Sequence, residues 1–190
     1  MTKQLLINEA LDIVQKEAFS ALSFQMLADR VGIKKASVYY HFSSKEKLAL
    51  GVIEDANTKL GKYFTSIALQ KPDKQLGSYI KLFSVHISSL QNLCPGVSFI
   101  TSWPAQTDAV KEAIKALYQT HIEFITSVIQ KGYDQSIFLQ NQTPARDVAV
   151  TVFAMLQGAL LTARVNGDQL VFDSCEKSIN NLLQVDNAHE

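Results

Sequence analysis

The sequence predicts an all-α fold, with three short N-terminal helices ahead of a C-terminal bundle of longer ones. Three observations predict it. Apolar residues recur at three- and four-residue spacing along nearly the whole chain. Glycine and proline are sparse, 8 and 4 in 190 residues, which allows long uninterrupted helices and does not favour a many-turned all-β chain. The pattern shifts near Lys47, from short segments to long apolar ones. Hydrophobic residues make up 47% and charged residues 19%, so the chain can bury a core.

The elements follow in order. Leu6, Ala10, Ile13 and Val14 mark one face of a first helix ending near Glu17. Ser23 is a natural N-cap for a second, short helix with Phe24, Leu27, Ala28 and Val31 as its apolar positions. Gly32 can adopt the left-handed conformation that stops it. A third helix runs from about Lys35 to Phe42. In "SSKEKL" either Ser43 or Ser44 can cap a long fourth helix, and Ser43 with Glu46 has capping-box spacing. That helix runs to about Leu69 and breaks at Pro72. The next spans about Asp73 to Leu93, and "CPGVSFITSWPAQT" is irregular or short-helical. Thr107 or Asp108 begins a helix carrying Val110, Ile114, Leu117, His121, Phe124 and Val128. Thr143 and Pro144 read as N-cap and first position of a helix that is apolar nearly all round. Such a helix needs cover on two sides, and a partner subunit is the natural second cover. Phe172, Cys175, Ile179 and Leu182 mark a last helix.

Formal net charge is zero, which argues against a general polyanion binder. Charge is nevertheless localised: Val31 to Lys47 holds four lysines against Glu46, a balance of 4 − 1 = +3. The two cysteines, Cys94 and Cys175, form no metal-site spacing and no disulfide framework. The N-terminus lacks a signal-peptide apolar run. The densest apolar stretch, Val148 to Val165, is interrupted by Gln157, Thr162 and Arg164, so no membrane span, no membrane partner and a cytoplasmic location are expected.

Helix, glycine turn and short helix over about 23–42 form the outline of a helix-turn-helix, whose second helix enters the DNA major groove. The residue types suit that role. Lys34, Lys35, Lys45 and Lys47 can neutralise phosphates, and Ser37 and Tyr39 can donate to phosphate or a base edge. Tyr40 and His41 present flat apolar faces with polar tips. The string "SFQMLADRVGIKKASVYYHFSSKEKL" closely resembles the DNA-binding segment of the tetracycline-repressor (TetR) family of bacterial transcriptional regulators. The matching positions are Ser23, Leu27-Ala28, Gly32-Ile33, Lys35 to Phe42, and Ser44-Lys45-Glu46 with Leu48.

The resemblance is strong over residues 3 to 50 and architectural beyond. It implies a DNA-binding domain over 1–47 and an effector-binding and dimerisation domain over 48–190. It implies a homodimeric repressor released from double-stranded operator DNA by a small molecule, with no cofactor and no metal. Phosphate contacts are implied for Ser23, Lys35, Tyr39, Tyr40, His41 and Lys45, and base reading for the exposed side of 34–40 with Gln25 near the groove. Phe42, Val38 and Leu27 are expected in the core. Lys34 stands where a capping serine is common, Ala36 replaces a common glycine, and Ala18 replaces a common helix-ending glycine.

Effector-pocket candidates are Phe64, Tyr79, Phe83, His86, Phe99, Trp103, Tyr118 and His121, the large or polar residues on otherwise apolar faces. Trp103 stands out because it lies in an irregular segment bounded by prolines. The two final helices would form the dimer through Met155, Ala159, Thr162, Cys175, Ile179 and Leu182. Cys94, just before Pro95-Gly96, is a possible electrophile or redox sensor, provided its thiol is accessible and acidified. An enzyme using Cys94 with His86 or His121 is the competing class, but no acid and no glycine-rich oxyanion turn accompanies them. The sequence therefore reads as a regulator and not an enzyme.

Overall fold

The computed structural model describes residues 3–87, 93–140 and 143–183, and among them it is helical without strands. The helices are α1 (Lys3–Glu17), α2 (Phe24–Val31), α3 (Lys35–His41), α4 (Lys45–Ile67), α5 (Pro72–Ile87), α6 (Pro95–Ile100), α7 (Asp108–Asp134), α8 (Ala145–Asn166) and α9 (Leu170–Leu183), with a 3-10 turn at Trp103–Ala105. They divide into two compact units. The first comprises Met1–Gly61 and Asn92–Tyr118, the second Lys62–Gln91 and Gln119–Glu190. Helices α4 and α7 each contribute residues to both.

In the first unit, α1 packs on α2 and α6, and α2 on α3. The expected apolar positions are buried: Leu6, Ala10, Ile13 and Val14 of α1, Leu27 and Ala28 of α2, and Val38 and Phe42 around α3. Each of the Leu, Ile, Val and Phe side chains among them contributes roughly 1.5–3 kcal/mol on leaving water, offset by the entropy of ordering it. Gln15 and Leu93 exchange hydrogen bonds, Gln15 Nε2 to the Leu93 carbonyl at 2.8 Å and the Leu93 N–H to the Gln15 carbonyl at 3.2 Å. At Gly96 a Cβ would lie 2.5 Å from the Tyr118 ring, so the absence of a side chain there is what lets that ring pack. Arg30 bridges to Glu9 at 3.0 Å and also to Asp12, tying α2 to α1. Burial alone would raise the Asp12 carboxyl; the Lys16 hydrogen bond and the charges of Arg30 and Lys16 outweigh it and hold the group below its ordinary value.

In the second unit, α8 packs on α9 and α5. Gln75, buried, donates to the Ala68 and Gln70 carbonyls at 3.2 and 2.6 Å and so satisfies acceptors after the end of α4. Pro72 opens α5, where its missing N–H costs nothing. At Gly132 a Cβ would fall 2.0 Å from the Phe138 ring, so that ring can fold back on α7 only over a glycine.

Several expectations change. Ser44, not Ser43, caps α4: its hydroxyl accepts the Lys47 N–H at 3.1 Å. Glu46 makes no capping box but accepts a 2.8 Å bond from the Thr107 hydroxyl. Helix α8 starts at Ala145, and Pro144 is its N-cap, because ψ of 143° keeps Pro144 extended. Residues 88–92, at the expected end of α5, lie outside the described residues. Helix α8 is also long and apolar enough to cross a membrane by length and composition, with mean hydropathy 1.7, contrary to the expectation that no segment is. Half of that stretch is buried inside the protein, the property of a core helix.

Candidate nucleic-acid interface

The head is built by local rules. The Ser23 hydroxyl accepts the Met26 N–H at 3.1 Å and starts α2. Gly32 ends it at φ 72°, ψ 38°, and the Ile33 N–H reaches back to the Ala28 carbonyl at 2.9 Å. Lys34 then takes the N-cap position of α3 with extended dihedrals and no side-chain cap, as its replacement of a serine implied.

Helix α3 buries only Val38. Lys34, Lys35, Ala36, Ser37, Tyr39 and Tyr40 are all exposed. Tyr40 is 86% exposed and Tyr39 53%, values far from the usual place of an aromatic ring. Each ring has an aromatic neighbour. Tyr39 stands edge-on against Phe24 at 4.7 Å with the Lys35 ammonium 6.0 Å from its centroid, and Tyr40 is edge-on to the half-buried His41 at 5.1 Å. The Tyr39 ring thus packs on α2 while α3 keeps its lysines in water.

Beside this face lies an open cleft of about 580 Å³, lined by Ser20, Ser23, Gln25, Lys35, Tyr39, Ser43, Ser44 and Lys45 among others. It brings together the starts of α2 and α4, whose first-turn N–H groups favour anions. Lys45 is anchored in its wall: the ammonium lies 4.4 Å from the Phe19 ring centroid and donates to the Ser20 carbonyl at 3.3 Å. Partial burial lowers its pKa. Gln25 donates to Asp29 at 2.8 Å and stays on the exposed side of α2. Of the expected DNA residues, Ser23, Gln25, Lys35, Tyr39 and Lys45 line the cleft. Lys34, Ser37, Tyr40 and His41 belong to the adjoining α3 segment. Ser20, Ser43 and Ser44 also line the cleft without being expected contacts: Ser43 and Ser44 read only as helix caps, and Ser20 lies in the turn after α1 with no signal of its own.

The model for bacterial regulatory proteins of the tetR family matches residues 6–52, which hold α1 to α3 and the start of α4. The N-terminal head of this chain is thus similar to the DNA-binding domain of that family. The chain is 21% identical over 183 residues to YfiR, an HTH-type transcriptional regulator of Bacillus subtilis (strain 168), covering 94% of this chain and 85% of that one. The same fold occurs in a TetR transcriptional regulator from Legionella pneumophila (TM-score 0.88, 22% identity, 96% and 97% of the two chains). It occurs again in a TetR-family regulator from Agrobacterium tumefaciens (TM-score 0.85, 22% identity, 96% and 99%). The chain thus shares the fold of these regulators over nearly its whole length, and its head matches their DNA-binding domain.

The effector candidates separate. Phe64, Tyr79, Phe83 and His121 come together in the second unit, with Phe124 and Phe153 beside them. Phe99, Trp103 and Tyr118 belong to the first unit. Phe99 is core, fully buried and 5.2 Å from Phe19. Trp103 is half-buried in the 3-10 turn. Tyr118 is shifted upward, first by burial and then by the nearby Cys94. The His86 side chain lies outside the described residues. Cys94 is buried at the N-cap of α6, which denies it the access a sensor thiol needs. Burial, and then the charge of Glu176, raise the Cys175 thiol, so it is no acidified thiol either.

The interface candidates divide similarly. Ala159 and Ile179 are buried inside their own unit, a correction to their expected place, while Met155 and Cys175 are half-buried and Thr162 and Leu182 exposed. The apolar residues that α8 and α9 leave in solvent are Val150, Leu161, Val165, Leu170 and Leu182.

Proposed function

We propose that this regulator is a homodimeric, ligand-responsive transcriptional repressor, in which α3 and the cleft beside it engage operator DNA. One observation carries the DNA-reading role: α3 spends a single residue on the core and keeps a lysine, serine and tyrosine surface in water. Lys35, Lys45, Ser23 and Tyr39 hold phosphate around the cleft, and Lys34, Ser37 and Tyr40 reach the groove, with Gln25 and His41 at its margins. Residues 1–47 form the DNA-binding domain and 48–190 the effector and dimer domain. Two copies pair through the exposed aliphatic side of α8 with α9, which is too apolar for a free surface. The aromatic cluster of the second unit takes the effector. Since α4 and α7 each supply residues to both units, a change at the cluster has a continuous backbone along which to reach the head. A chain with this role works in the cytoplasm, on the chromosome.

The test is a DNase footprint on the DNA upstream of its own coding region, with a reporter driven by the same fragment. The reading predicts two protected half-sites about one helical turn apart and reporter activity that rises when the regulator is deleted. No footprint, or reporter activity that falls on deletion, would contradict it.

A further inference from the structure

Six aromatic side chains meet in the second unit, from α4 (Phe64), α5 (Tyr79, Phe83), α7 (His121, Phe124) and α8 (Phe153). Two features separate this cluster from an ordinary core. The first is a polar pair inside it. Tyr79 is fully buried and His121 nearly so, and the Tyr79 hydroxyl lies 2.9 Å from His121 Nδ1. Burial pushes the imidazole down to about 4, so it is neutral near pH 7. A buried neutral pair of this kind adds little over two apolar rings of the same shape. The pair instead places hydrogen-bonding atoms inside an otherwise apolar cluster.

The second feature is the Phe64–Phe124 stack. Its centroids are 3.8 Å apart and its planes 6° from parallel. Aromatic pairs favour offset or edge-on arrangements at about 4.5–7 Å over a face-to-face sandwich. The other ring pairs around Tyr79 and His121 keep that range, from 5.0 Å (His121–Phe153) to 6.1 Å (Phe83–His121). Phe124 is also the one ring of the six that is not buried, so this less favoured pair forms the cluster's outer edge. The Phe64 centroid is 5.9 Å from that of Tyr79 and 6.1 Å from that of His121. A ring seated against Phe64 therefore has the polar pair within reach.

Charge is the discriminating property. Among the described residues no Asp, Glu, Lys or Arg is buried, and Lys62, Lys81 and Glu123 on the surrounding helices are exposed. An ion in this cluster would lose its hydration with no counter-charge. We propose that the cluster takes an uncharged, planar aromatic compound with one hydrogen-bonding group. Its ring replaces that of Phe124 against Phe64, and its polar atom bonds to the Tyr79–His121 pair. This assignment rests on the ligand-responsive reading above.

Equilibrium dialysis of the full chain at neutral pH against three bicyclic probes tests it: 2-naphthol (neutral), 2-naphthoate (anionic) and N-methylquinolinium (cationic). The expected result is 2-naphthol bound at least about tenfold more tightly than either ion, and weakened about tenfold in Tyr79→Phe/His121→Phe, a variant that keeps its helical signal. If the double variant does not fold, Tyr79→Phe alone must weaken 2-naphthol binding. Unchanged binding in a folded variant overturns the polar pair as anchor. Preference for either ion overturns the ligand class and leaves a ligand-responsive regulator standing. Binding of none of the three overturns the cluster as a site for an aromatic ligand, whereas the footprint and reporter test the regulator reading separately.

Discussion

Ala18 sits at φ 71°, in the left-handed region that side chains other than glycine resist. It follows α1 where the resemblance has a glycine, and its N–H still closes a 3.1 Å bond to the Val14 carbonyl. Ala18→Gly should therefore stabilise the protein by about 1 kcal/mol, seen as a higher urea midpoint at unchanged slope. His121 gives a second prediction at this scale. Its pKa falls from the ordinary 6.5 to about 4 on folding, so between these values the unfolded chain binds more protons. Stability is then full above about pH 6.5 and declines toward pH 4, by on the order of 3 kcal/mol. Urea melts at pH 7.5 and 5 should show the decline, and Tyr79→Phe/His121→Phe should flatten it.

At the scale of elements, α3 pairs a weak start with a strong surface. Lys34 has the extended dihedrals of an N-cap but no side-chain oxygen to accept an orphan N–H. Lys34→Ser should supply that oxygen and raise stability by about 1 kcal/mol. The same change removes a cation, so DNA affinity should fall and its logarithmic salt slope lose about one unit. A calorimetric melt and a salt titration of DNA binding measure the two effects separately. The contrast also shows what was legible in the sequence. Ser23, Gly32 and Pro72 were legible because a cap, a left-handed stop and a helix break are decided within a few residues. Phe99 and Trp103 were not, because helical spacing shows that a face is apolar without showing what covers it. Phe99 was assigned to a pocket and is core against Phe19. Ala159 failed for a related reason: α8 has no polar side to fix its rotation, so its inner and outer rows could not be told apart.

For the whole molecule, the proposed dimer rests on the exposed aliphatic row of α8. Val165 is 85% exposed, and Leu161 lies one turn before it. Leu161→Glu with Val165→Glu should convert a dimer to a monomer in sedimentation velocity and weaken DNA binding with it, since two half-sites are then no longer read together. The melting of the single head should be little changed, because neither residue is in the core. The central claim is that α3 and its cleft are the DNA-reading surface. Fluorescence anisotropy of a labelled duplex from the upstream region tests it most directly, comparing the wild type with Tyr40→Ala and Lys35→Ala. The account predicts unchanged helical content and melting for both, with affinity lower by about tenfold or more and, for Lys35→Ala, a salt slope smaller by about one. Folded variants that bind the duplex as tightly as the wild type would contradict it.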